Sequence, residues 1–262
     1  MGFVEKNGLK YYAFDLLEFK DLTQGVFCRQ GGVSPSPWVS LNLGGTVGDS
    51  RENVIENRKR IFDLIGRPVD SIFDVWQVHG KTVACSSVPR PLDSAHQRAD
   101  AVLTDRSEIT LLMLFADCVP IFLYDPVRKA IGIVHAGWQG TVKKIGREAV
   151  EAMRCQYGSD PADIHAGIGP SIGPDHYEIG EDVEKRVHTS FGEDTNLLLR
   201  RSDGKVYFDL WTANSLILQQ AGLKHIQISN VCTACNLQDW YSHRGEGGKT
   251  GRFGAVLCLK PT

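Results

Sequence analysis

ITLLMLFADCVPIFLYDPVRKAIGIVH, residues 109–135, is the stretch from which the fold can be read. It holds three short apolar runs, Ile109–Phe115, Pro120–Tyr124 and Ala130–Val134, each of strand length and rich in Ile, Leu, Val and Phe. Tyr124-Asp125-Pro126 reads as a turn between the second and third. Strand following strand without an intervening helix argues for antiparallel pairing and against a uniformly alternating Rossmann or TIM pattern. Further strands are expected at Ile72–Val78, Thr82–Cys85, Ala101–Leu103, Asp163–Ile168, Val206–Phe208, Ile226–Ser229 and Gly254–Leu259. Four helices interrupt them. In Glu52–Ile65, apolar residues recur at helical spacing after Asp49 and Glu52, which resemble a capping box, and Gly66 with Pro68 ends the run. The others are expected at about Thr141–Tyr157, at Glu181–Phe191, and from a cap at Asp209 to Gly222. No linker or repeat divides the chain, so the reading is a single α+β domain over residues 1–262.

The composition excludes several function classes. Lys+Arg number 29 and Asp+Glu 31 in 262 residues, for a net charge of −2, and 42% of the residues are hydrophobic. Such a chain is neither disordered nor collagen-like, and it carries no field for a polyanion. Nucleic acid is therefore not expected as a partner. The apolar run Ile109–Ala116 is far short of the roughly 20 residues that span a bilayer, so no membrane association is expected either. Seven scattered cysteines do not form a disulfide framework, and the amino terminus does not read as a secretory signal; the expected setting is cytoplasmic.

Three segments place a soft or imidazole ligand at a strand end: Gln77-Val78-His79-Gly80, Ala116-Asp117-Cys118 and His135-Ala136-Gly137. If the strand ends converge at one rim, His79, Cys118 and His135 meet. Two imidazoles and a thiolate suit zinc and leave a fourth tetrahedral position open, the pattern of a catalytic metal site. Taken singly, each residue has an ordinary reading as a packed cysteine or a hydrogen-bonded histidine. Gly80, Gly137 and Gly140 permit the close backbone approach such a site needs. The more familiar spacing, Cys232-Thr-Ala-Cys235, lacks the second pair of a zinc ribbon and is read as packing near the main cleft. Two glycine-rich turns, Arg29–Ser34 and Ser242–Arg252, the second with Arg244 and Arg252, set guanidinium groups beside accessible amides, a combination suited to phosphate or simply to solvated turns. Neither turn is a Walker loop.

In order along the chain, RQGGVS (29–34), SLNLG (40–44), QVHG (77–80), ADA (99–101), ADCVP (116–120), HAGWQG (135–140), GIGPSIGPDHYEIG (167–180), CTAC (232–235) and TGR (250–252) resemble successive landmarks of the YfiH-like family. Members of that family have been labelled laccase-domain or polyphenol oxidase proteins and are understood chiefly as purine nucleoside phosphorylases with adenosine deaminase activity. The resemblance implies mixed β-sheets sandwiched by helices and a zinc ion on residues matching His79, Cys118 and His135. It implies purine nucleosides (adenosine, inosine and 5′-methylthioadenosine) and phosphate as substrates, with Arg29, Asn42 and Arg244 binding substrate or phosphate. Asp117, beside Cys118, is the candidate proton shuttle, with a strand-end turn as its alternative role. A monomer is expected. Copper on the same ligands, with phenol oxidation, is the rival expectation; a ligand-binding or cell-wall editing factor is another. The chain departs from the family's usual pattern at Phe115, Gln139, Ser171 and His243; Gln139 replaces an arginine, so phosphate affinity or substrate preference is expected to differ.

Overall fold

The computed structural model describes residues 2–261. Its strands are β1 (Gly2–Lys6), β2 (Leu9–Ala13), β3 (Leu22–Phe27), β4 (Ile72–Phe73), β5 (Val83–Cys85), β6 (Ala101–Thr104), β7 (Thr110–Phe115), β8 (Val119–Asp125), β9 (Ala130–Ala136), β10 (His165–Ile168), β11 (Glu178–Ile179), β12 (Leu199–Ser202), β13 (Lys205–Phe208), β14 (His225–Ile228) and β15 (Phe253–Leu259). The helices are α1 (Arg51–Ile65), α2 (Trp138–Val142), α3 (Ile145–Tyr157), α4 (Glu181–Phe191), α5 (Thr195–Leu198) and α6 (Leu210–Gln220). One six-stranded sheet runs β1-β2-β3-β15-β7-β4 and a second runs β14-β10-β8-β9-β6-β5; a small third sheet runs β11-β13-β12. Both large sheets are mixed. β4 pairs with β7, β5 with β6 and β10 with β14 in parallel, and the remaining neighbours are antiparallel.

Period-two alternation explains the layering. On β7 and β15, Leu111, Met113, Phe115, Ala255 and Leu257 enter the core between the two sheets, while Leu112 and Val256 face the other way onto Ile61 and Phe62 of α1. On β8, Phe122 and Tyr124 enter the same central core, whereas Ile121 and Leu123 face Ala149 and Met153 of α3 and Ile217 of α6. Strands covered on both faces must be apolar at every position, which is why 109–124 reads as nearly continuous hydrophobic sequence. The result is helix, sheet, sheet, helix: mixed sheets sandwiched by helices, as expected.

Several local expectations change. β8 and β9 form the antiparallel pair read from the sequence, but β7 belongs to the other sheet, beside β15. The chain crosses between sheets at Ala116-Asp117-Cys118, where Asp117 takes φ 80°. The strand expected at Ile72–Val78 stops at Phe73. Beyond it, the side chain of Gln77 replaces a strand backbone: its Nε2 donates to the Leu114 carbonyl at 2.8 Å and its Oε1 accepts the Leu114 N–H at 3.0 Å. The helix expected over Thr141–Tyr157 starts earlier, at Trp138, and is broken at Lys144, whose φ is 61°. Ser50, rather than Asp49, caps α1, accepting the Asn53 N–H. Asp49 accepts instead from Ser34, Asn42, Asn53 and the Ser50 N–H. No helix among the described residues is long and apolar enough to cross a membrane.

Candidate active site

His135 is the penultimate residue of β9, and Cys118 immediately precedes its partner β8, so pairing of Pro120 with His135 brings the two to one rim. His79 arrives from the loop after β4 with φ 56°. That turn is held by Asp100, just before β6, whose carboxylate accepts the N–H groups of Val78, His79 and Gly80 at 3.1, 2.9 and 2.7 Å. Lys143 adds a bond from its Nζ to the His79 carbonyl at 2.8 Å. One ligand atom from each of His79, Cys118 and His135 falls within 4.8 Å of the others. Cys118 Sγ is 3.8 Å from His79 Nε2, and the two imidazoles stand edge to face with centroids 4.8 Å apart. Gly137 is necessary to this crowding: a Cβ there would lie 2.7 Å from Cys118 Sγ and 3.1 Å from His79 Cδ2.

Asp100 does a second job. Its Oδ1 is 3.0 Å from His135 Nδ1, which leaves Nε2 as that ring's candidate ligand atom. A carboxylate on the far nitrogen of an imidazole is the usual orienting partner of a metal ligand. Burial opposes ionisation of Cys118, but the charge of His135 and hydrogen bonds with both imidazoles outweigh it, holding the thiol down at about 6. Burial likewise opposes the charged His135 ring, and Cys118 and Asp100 together raise it to about 9. A thiolate and two oriented imidazoles with no fourth protein donor fit zinc, and the same soft set fits copper.

The triad opens onto a cleft of about 1080 Å³ that also reaches Asp117, Trp76, Trp138, Tyr177, Arg51, His243, Arg244 and Arg252. The sequence-predicted residues divide here. Arg244 lines the cleft, its guanidinium donating to the carbonyls of His176 and Glu178. Asp117 lines it too, and its carboxylate accepts the Thr233 hydroxyl at 2.7 Å and the Arg244 backbone N–H at 2.6 Å. Those bonds fit the turn-anchoring role, since they seat Arg244.

Arg29 and Asn42 are not among the residues lining the cleft. Arg29 packs its guanidinium over Tyr241 at 4.3 Å and bonds to Glu246 and to the carbonyls of Val39, Leu237 and Trp240. These bonds engage its Nε and Nη1 inside the fold. Asn42 is fully buried; its Oδ1 accepts the N–H groups of Gly44 and Arg252, and its Nδ2 donates to Asp49. It positions Arg252, the last residue of the second glycine-rich stretch read from the sequence. Among the described residues, the Arg252 guanidinium donates only to the carbonyls of Thr250 and Gly251. Burial lowers its pKa, and the nearby Cys118 and Asp117 offset part of that. Among the described residues, Arg51, Arg244 and Arg252 form no ion pair with a carboxylate. Asp100 and Gln77 were also missed: their roles depend on partners more than 20 residues away, which spacing does not reveal.

With this geometry in place, similarity to known proteins is informative. The family model described as multi-copper polyphenol oxidoreductase laccase matches residues 23–260. The chain is 35% identical over 249 residues to purine nucleoside phosphorylase YlmD of Bacillus subtilis, covering 92% of this chain and 90% of that protein. It is 38% identical over 232 residues to a purine nucleoside phosphorylase of Deinococcus radiodurans, covering 88% and 87%. The crystal structure of YlmD from Geobacillus stearothermophilus superposes with a TM-score of 0.92 at 32% identity, covering 99% of each chain. That of the Bacillus licheniformis hypothetical protein YfiH gives 0.91 at 32% identity, covering 98% of this chain and 99% of that one.

Proposed function

The chain belongs to the family described as multi-copper polyphenol oxidoreductase laccase, the YfiH-like family, and from that premise we propose that it is a purine nucleoside phosphorylase. The observation that carries the reading is the meeting, in one cleft, of an open three-donor site with guanidinium groups free of carboxylates. An arginine already paired with an acid has its charge neutralised; Arg51, Arg244 and Arg252 keep theirs for an anion. Trp76, Trp138 and Tyr177 offer aromatic surface to a purine in the same cleft.

Phosphorolysis requires phosphate to be held against the anomeric carbon of the ribose while the purine departs. In this reading Arg244 and Arg252 orient the phosphate, and Asp117 holds the Arg244 backbone in place. Asn42 and Arg29 act behind them, Asn42 on the Arg252 backbone and Arg29 on the 237–246 loop. His79, Cys118 and His135 would hold the metal, which when bound supplies Lewis-acid polarisation at its open position. Zinc is the proposed ion. The proposed substrates are adenosine, inosine and 5′-methylthioadenosine, and the three-donor pattern also supports hydrolytic deamination of adenosine. Cysteines left unpaired, Cys118 among them, support a reducing, cytoplasmic setting; a monomer is the proposed state.

Copper-dependent phenol oxidation is the second reading, favoured by the donor set itself, since two histidines and a cysteine also suit copper. A multicopper centre needs many more histidines, and only two candidate ligand groups occur among the described residues. Incubation with adenosine with and without phosphate, followed by product chromatography, tests the proposal. Ribose 1-phosphate formed only with phosphate is expected; oxygen consumption with a phenol and no product from any purine nucleoside would overturn it.

A further inference from the structure

A second group of soft and imidazole donors lies apart from the triad. Asp175, His176, Cys232 and Cys235 each offer one ligand atom, and these atoms all lie within 4.8 Å of one another. His176 Nδ1 is 3.5 Å from Cys235 Sγ, 3.9 Å from Cys232 Sγ and 3.1 Å from Asp175 Oδ1. The sequence shows only half of this: Cys232-Thr-Ala-Cys235 without a second pair. The fold supplies the other half from 56 or more residues away.

The backbone builds the juxtaposition. Ser171 and Cys232 form a parallel bridge, with the Ser171 N–H donating to the Val231 carbonyl and the Thr233 N–H donating back to the Ser171 carbonyl. Gly173 donates its N–H to Cys232 Sγ at 3.2 Å, the kind of bond that supports a ligand sulfur from outside the coordination sphere. A Cβ on Gly173 would come within 2.7 Å of Asp175 Oδ1 and 3.1 Å of Cys232 Sγ, so the glycine lets these two approach.

The geometry points to a second metal site at Asp175, His176, Cys232 and Cys235, structural in kind and suited to a zinc-class divalent ion. Two sulfurs two residues apart, an imidazole and a carboxylate complete a tetrahedral set, leaving no position for water. The triad of the cleft is open by one ligand and this set is closed. Binding takes up the two thiols as thiolates and releases their protons to solvent. The site ties the 171–176 loop to the 231–235 loop, and the first of these carries the His176 carbonyl on which Arg244 rests. A metal here clamps the segment that seats Arg244.

Zinc titration of the reduced, metal-free protein in competition with a chromophoric chelator tests the site without recourse to turnover. Cys235→Ser, at an exposed position, and His176→Ala should each bind one equivalent fewer than the unaltered chain, with unchanged circular dichroism. Cobalt(II) separates the two centres. The two-thiolate site gives the stronger sulfur-to-cobalt absorption, which should vanish in Cys235→Ser and persist in Cys118→Ser. If Cys235→Ser and His176→Ala bind as many equivalents as the unaltered protein, or if Cys232 and Cys235 are joined as a disulfide in the freshly isolated chain, the proposal is wrong. Neither result depends on whether the protein cleaves nucleosides.

Discussion

Two cysteine clusters in this molecule invert what their sequence spacing advertises. Cys232 and Cys235 carry a familiar motif, yet their site is a closed set of four donors on two adjacent loops. Cys118 has no cysteine or histidine neighbour in sequence, yet it sits at the mouth of a cleft with two imidazoles and an open coordination position. The difference has a physical origin. A closed site needs only that loops lie together, and a short motif can supply half of it. An open site must face a cavity, and here the triad meets the cleft where β9 ends and β8 begins, beside the chain that crosses between sheets. Reactivity follows the rim of the sandwich, and structural ligation follows local loops.

The largest effect expected from breaking this contrast is at the open site. Cys118→Ser or His79→Ala should remove metal from the cleft and lower phosphorolysis by more than the roughly 10–100-fold that loss of an outer hydrogen bond to a ligand costs. Metal analysis of the purified variants alongside turnover checks this. Asp100→Asn keeps the shape of the side chain but weakens the acceptor of three N–H groups and of His135, so metal affinity or activity should fall by about 10–100-fold, read by chelator competition. Gly137→Ala forces a methyl against Cys118 Sγ; overpacking of this kind costs about 1–3 kcal/mol, measurable by chemical denaturation of the metal-free protein.

The smallest effect concerns the wall of the cleft opposite in chemistry to the triad. Burial works to raise the Asp49 pKa, but hydrogen bonds from Asn42, Asn53 and Ser34 outweigh it and hold the carboxyl below its ordinary value. A depressed folded-state pKa contributes stability that is present above the unfolded aspartate pKa and is lost as pH falls through the folded one. Asp49→Asn should therefore flatten the acid limb of a stability–pH curve while leaving metal content unchanged.

The α+β fold was legible because doubly covered strands such as β7 and β8 are apolar on both faces and α1, α4 and α6 carry their periodicity openly. The three candidate ligands were legible as residue types at strand ends. What stayed hidden depends on exchange between distant parts. The amino-terminal strands β1 to β3 went unread because β1 is mostly exposed and charged, although Asn7-Gly8, both at positive φ, is a hairpin signal. Assigning β7 to the second sheet's partner required knowing that Asp117 turns the chain between layers. The contacts of Arg29 with Glu246 and Tyr241 were hidden as well, because both partners lie more than 200 residues away in the chain.

In the proposed function the metal-ligand triad and the unpaired arginines serve one substrate in one cleft. Phosphate saturation of ribose 1-phosphate release, measured for Arg252→Gln beside the unaltered protein, tests it most directly. Loss of a charge-assisted hydrogen bond of about 1.5–3 kcal/mol predicts a KM for phosphate raised about 10–100-fold, with the metal content of the cleft intact. An unchanged KM for phosphate, or adenosine consumed at the same rate whether or not phosphate is present, would contradict it.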